Sequence, residues 1–121
     1  MGLLDGLTRN WADLAADAPD PHLRPIRVAR PPADAVAWAA EVMARQPRWT
    51  VVAADPQGGT LHLTHKTLVW RFIDDIRLTL AADGTGTLVT GQSRSRVGKG
   101  DFGKNRRNLR ELRAALAPQD R

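Results

Sequence analysis

The 121-residue chain contains no cysteine. That excludes disulfides, thiolate metal sites and cysteine nucleophiles, and it fits a reducing compartment. No apolar run approaches the roughly 20 residues that a membrane-spanning helix needs. The start, Met1-Gly2-Leu3-Leu4-Asp5-Gly6, lacks the basic flank and long apolar stretch of a secretion signal. Gly6 stands where an N-myristoylation motif wants Ser or Thr. A soluble, cytoplasmic protein is expected. Catalytic signatures are missing too. There is neither a Walker loop nor a dinucleotide fingerprint, and no serine has a plausible His-and-Asp set around it. Asp101-Phe102-Gly103 spells a kinase metal motif without any other kinase element. His62 and His65 are three apart, so a strand points them to opposite faces. We therefore expect no catalytic residue, no metal and no cofactor. Aromatics make up 5% of the chain, too few for the stacking platforms of single-strand nucleic-acid binders.

What is present suffices for one domain with one core: 42% of residues are hydrophobic and 26% charged. The net charge of +5 is unevenly placed. Arg94, Arg96, Lys99, Lys104, Arg106, Arg107, Arg110 and Arg113 face Asp101 and Glu111 within twenty residues, and the remaining chain is near neutral. One basic patch on a neutral body points to an anionic neighbour.

Leu3, Leu4, Leu7, Trp11 and Leu14 recur at three- and four-residue steps and predict a short N-terminal helix. Its polar face is mainly acidic, unlike that of a membrane anchor. It is expected to dock on this protein's own core or on a second copy, giving a homodimer. Three prolines within Pro19–Pro25 then force a linker or a reversing loop. Residues 1–25 are read as this helix and linker, and residues 26–117 as the folded domain. Within it, Ile26–Arg30 alternates as a strand. A helix over about 33–46 buries Val36, Ala39, Ala40 and Met43, with Trp38 and Val42 at its edges. From Trp49 the period changes to two. Strands are expected over 49–54, 60–66, 76–80 and 87–94, with glycine turns at Gly58-Gly59 and Gly84. Thr67–Phe72 reads as a loop or edge segment carrying Trp70 and Phe72 inward. The closing helix, about Asp101 to Leu116, has Asp101 as N-cap and Leu109, Leu112 and Leu116 as its stripe. The fold class is α+β: an antiparallel meander of four to five strands, covered on one face by two helices, plus the N-terminal helix.

The stretch Ser93-Arg94-Ser95-Arg96-x-Gly98-x-x-Asp101-x-Gly103-x-Asn105-Arg106 resembles the closing signature of the uncharacterised domain-of-unknown-function family 1499. Gln46-Pro47-Arg48-Trp49 is similar to the end of that family's first helix. Trp70-Arg71-Phe72-Ile73-Asp74-Asp75-Ile76 is similar to its aromatic-Arg-Phe-x-Asp segment. The resemblance spans roughly residues 26 to 116. It implies no established activity. Many members carry membrane segments or export signals, from which this chain departs.

The signature stretch is also the candidate site. Glycine-permitted geometry, a helix N-terminus and neighbouring arginines suit an anion. Arg94, Arg96, Lys99, Asp101, Asn105 and Arg106 are its expected residues, and an anionic small molecule is the expected ligand. A purely structural role competes with this: Arg94 and Arg96 share a sheet face and could pair with Asp74 and Asp75, while Asn105-Arg106 ties the helix to the sheet. Arg106, Arg107, Arg110 and Arg113 form a basic helix stripe that could track phosphates, but without interleaved aromatics a nucleic-acid partner is set aside. The function expected is therefore a non-enzymatic binding or interaction module. Its alternative is a helix-grip type of protein, which would hold an apolar or lipid-like molecule in a cavity between the sheet and the closing helix.

Overall fold

The computed structural model describes residues 11–67, 72–96 and 103–117. Within them the chain forms β1 (Trp11–Leu14), a 3-10 turn (Pro21–Leu23), β2 (Ile26–Val28), α1 (Pro32–Ala44), β3 (Trp49–Asp55), β4 (Thr60–Lys66), β5 (Ile73–Asp83), β6 (Gly86–Ser95) and α2 (Lys104–Leu116). The architecture is α+β, as expected. The sheet has six strands rather than four or five. The four long strands make the expected antiparallel meander β3-β4-β5-β6. β1 and β2 add to it by lying end to end along the outer edge of β6: Leu14 faces Gly91 and Ile26 faces Val89.

The expected N-terminal helix does not take in Trp11 and Leu14. Leu3, Leu4 and Leu7 lie outside the described residues. Trp11 and Leu14 belong to β1, with Ala12 and Leu14 in the core. The helical spacing of the leucines runs into a segment whose inward and outward positions simply alternate, and pairing with β6 supplies hydrogen bonds that a solvated helix end would have to find alone. The proline segment does reverse the chain: Ala15 N donates to Leu23 O at 2.9 Å, and Asp20 caps the 3-10 turn through His22 N.

α1 begins with Pro32 in its first turn, where a missing N–H costs little, and carries Asp34 near the positive end of the helix dipole. It stops at Ala44, and the chain turns through Arg48, whose positive φ of 68° is uncommon without glycine. Arg48 O accepts Lys66 N there at 2.9 Å. At the β3–β4 turn Gly59 has φ 71°, and a side chain there would collide with Leu80 O. The inward rows Leu61, Leu63, Ile76, Leu78, Leu80 and Val89 meet Val36, Ala39, Val42 and Met43 from α1 and Leu109, Leu112 and Leu116 from α2. Both helices therefore cover one face, and among the described residues the other carries no helix; it is called the open face below. The open face presents rows such as Trp11–Arg94–Asp75–Thr64 and Asp13–Gln92–Arg77–His62 across β1, β6, β5 and β4.

Two further expectations are corrected. Phe72 is 46% exposed rather than turned inward, because it precedes β5 beyond the end of the helical cover, with its ring 6.0 Å from the Lys104 ammonium. Trp70 lies outside the described residues. The N-cap of α2 is Gly103, not Asp101: Gly103 takes a left-handed φ of 82°, open to glycine, and the helix starts at Lys104. β3 carries a bulge between Val51 and Ala53, which leaves Val52 52% exposed. No helix among the described residues is long and apolar enough to cross a membrane.

Candidate functional site

The signature stretch is divided by the sheet it belongs to. In β6 the residues alternate, so Ser93 and Ser95 are buried on the covered face while Arg94 and Arg96 stand exposed on the open one. Each pair then meets different neighbours.

On the covered face, α2 presents Lys104, Asn105 and Asn108 at helical spacing to Asp74, Ser93 and Ser95. Ser93 Oγ donates to Asn105 Oδ1 at 2.6 Å, and Asn105 Nδ2 donates to Ser95 Oγ at 2.9 Å. Asn108 Nδ2 donates to Asp74 Oδ2 at 2.7 Å and to Ser93 Oγ at 3.2 Å. Lys104 Nζ stands 2.8 Å from Asp74 Oδ1 as an ion pair, too oblique to count as a hydrogen bond. Asp74 and Asn105 have no exposed area at all. A carboxylate removed from water needs this many partners. The cluster is a closed latch between α2 and the β5–β6 pair, and it leaves no reactive atom facing outward.

On the open face Asp75 takes the opposite side of β5 from Asp74. Arg96 donates to it through Nε at 2.8 Å and Nη2 at 3.0 Å, and His62 Nε2 lies 2.8 Å from Asp75 Oδ1. The Arg96 guanidinium, helped by His62, holds the Asp75 carboxyl down at about 2 against the opposing effect of burial, and Asp75 in turn raises Arg96. Arg94 is engaged more loosely. Its Nε reaches Gln92 Oε1 at 3.3 Å, and its guanidinium lies 5.9 Å from the centre of the Trp11 ring.

The outer arginines of α2 are also engaged. Arg110 donates twice to Asp20 Oδ2, at 3.1 and 2.6 Å, and holds that carboxyl at about 2. Arg113 donates to the backbone carbonyls of His22, Arg24 and Pro25, and its partial burial lowers its pKa. Trp49 Nε1 donates to Glu111 Oε1 at 2.6 Å.

Of the six residues expected at the site, Arg94 and Arg96 come together on the open face, and Asn105 belongs to the latch behind them. Arg106 is half-buried on α2, with no hydrogen bond or ion pair among the described residues. Lys99 and Asp101 lie outside those residues. Sequence reasoning did not single out Lys104, Asn108 or His62 as partners. A signal for the latch existed: Asn105 and Asn108 continue the stripe of Leu109, Leu112 and Leu116 with polar residues, and Ser93 and Ser95 do the same on the inward face of a strand. His62 carried no such signal, because its tie to Asp75 depends on the β4–β5 register. Among the described residues no group of three or more His, Asp or Glu side chains is placed to hold a metal.

Two of the three stretches that carry the sequence resemblance meet in space: Asp74 and Asp75 of the second contact Lys104 and Arg96 of the third, while Trp49 of the first bonds Glu111, farther along α2. None of the curated proteins compared with the chain matches it significantly. A family described as "Protein of unknown function (DUF1499)" matches residues 8–116, almost the whole chain and more than the span over which the resemblance was read, and the protein belongs to that family.

Proposed function

We propose that the protein is a non-enzymatic binding module whose anionic ligand meets the open face of the sheet at its Arg94–Arg96 end. The observation that carries this reading is the placement of Arg94, exposed on an uncovered face and held by one long hydrogen bond and one ring contact. A loosely held guanidinium can turn to a carboxylate or phosphate with little loss. Arg96 adds positive potential while staying tied to Asp75. Lys99 and Arg106, close in sequence, would add to the same field. Asn105 is assigned to the latch, where it has structural work.

The helix-grip alternative requires free volume between the sheet and α2. Leu63, Ile76, Val89, Leu109, Leu112 and Leu116 have 0% accessible area. A void large enough for a ligand would give the side chains lining it measurable area, so the burial of these residues supports the first reading.

The test is thermal melting in rising inorganic phosphate. The parent's melting temperature is expected to rise, Arg94→Gln to blunt the rise without lowering the starting value, and Arg96→Gln to lower the starting value because it strips Asp75 of its main partner. A parent indifferent to phosphate overturns the proposal.

A further inference from the structure

The open face also carries a hollow of about 300 Å³, lined by Ala53, Asp55, Thr60, His62, Arg77 and Thr79 among others, where β3, β4 and β5 lie side by side. That volume is at the small end of ligand sites. Its polar residues are ordered by register. His62 lies opposite Arg77, and the next row along holds Asp55, Thr60 and Thr79.

The Arg77 side chain is exposed and makes no ion pair or hydrogen bond among the described residues. This sets it apart from Arg27, paired with Asp83, and Arg96, paired with Asp75. His62, beside it, is held in place. Asp75 is ionised, as its low pKa and its Arg96 fork show, so it can only accept. The His62 nitrogen facing it, Nε2, therefore carries the proton. In the neutral ring Nδ1 is then an acceptor with a fixed tautomer. Asp55 uses Oδ1 to accept Gly58 N at 2.9 Å, which ties the acid of the hollow to its own turn.

A guanidinium beside an imidazole acceptor suits one kind of group: an oxyanion that is charged on one oxygen and protonated on another. We infer that this hollow binds a hydrogen-phosphate group, as inorganic phosphate or a small phosphate monoester. A charged oxygen lies on Arg77, the P–OH donates to His62 Nδ1, and the Thr60 and Thr79 hydroxyls are available to the remaining oxygens. A simple carboxylate is a poorer match, because once ionised it has no proton to donate. The inference rests on the reading of the open face as an anion-binding surface, and it names a group and a subsite on different residues.

The experiment is calorimetric titration of the full chain with inorganic phosphate and, separately, acetate, at neutral pH. The parent, Arg77→Gln and Arg94→Gln are compared, with His62 ring resonances followed by NMR. Saturable phosphate binding that moves the His62 signals, weakens tenfold or more in Arg77→Gln, is only partly reduced in Arg94→Gln with the His62 shift kept, and exceeds acetate binding is the expected result. Binding lost in Arg94→Gln but kept in Arg77→Gln overturns the hollow and leaves the corner reading standing. Acetate matching phosphate overturns the assignment of the group. No saturable binding by a folded parent overturns both. Circular dichroism of Arg77→Gln, at an exposed position, establishes that a loss is not unfolding.

Discussion

His65 is buried beneath α2, its ring edge-on to Trp49 at 5.1 Å, with neither ring nitrogen hydrogen-bonded. Glu111 and Asp74 favour its charged form and Arg48 and Lys104 oppose it, but burial outweighs them all and lowers its pKa from 6.5. The unfolded chain takes up this proton near 6.5 and the folded protein resists it. Stability from this residue is therefore full above that pH and is lost as pH falls below it. The melting temperature is expected to drop between pH 7 and pH 5, and His65→Phe, which keeps the aromatic contact, to drop less over the same interval. Equal slopes for the two proteins would refute this account. Asp20 and Asp75, held at about 2, act in a separate and more acid window, below their ordinary 3.8. The inward position of His65 was legible in the alternation Leu61, Leu63, His65. Its lack of a hydrogen bond was not, because Glu111, whose carboxylate stops 3.9 Å away, arrives on the last helix.

α2 is tied down differently along its length: at its start by the buried latch, in its middle by Trp49 and the 3-10 segment, and along its stripe by leucines. The latch residues act as one unit, since Asn108 bridges Asp74 and Ser93, and Ser93 bridges Asn108 and Asn105. Asp74→Ala leaves the Lys104 ammonium mostly buried and unpaired. It should cost roughly 3 kcal/mol, the low end for a broken buried pair, because Lys104 keeps some exposure. Asn108→Ala should cost roughly 1–3 kcal/mol by removing a donor from a buried carboxylate. In urea melts the double variant is expected to lose clearly less than the sum of the two, as coupled neighbours do; strict additivity would mean that the contacts act separately. The sequence carried much of this element. The leucine stripe and the tie from Asn105 to the sheet could both be read from it. The helix start could not, because Asp101 is a good cap by residue type, whereas Gly103 caps through a backbone geometry that residue type does not reveal.

For the molecule as a whole, the two ends of the chain depend on each other. β1 lies against β6, and the segment after it supplies Asp20 and three backbone carbonyls to the arginines of α2. Removing residues 1–24 would strip Ala12 and Leu14 from the core and most of those partners from α2. We expect the shortened chain to lose roughly 3 kcal/mol or more, or to melt without cooperativity; an unchanged melt would show that the first segment is an accessory. This dependence was hidden in the sequence, where the three prolines between β1 and β2 suggest a boundary rather than an excursion that returns to the same strand edge. The basic end was legible as charge but not as surface, since Arg96, Lys104, Arg110 and Arg113 are each engaged by partners from distant parts of the chain. The bulge at Val52 bears on behaviour in a crowded cell. Exposed sheet edges invite other chains to add strands and begin aggregates. Here one edge consists of two strands of four and three residues, too short to template much pairing, and the other is bent out of register where Val52 interrupts it. Among the described residues the sheet is thereby defended at both margins, so that its borders do not recruit copies of itself.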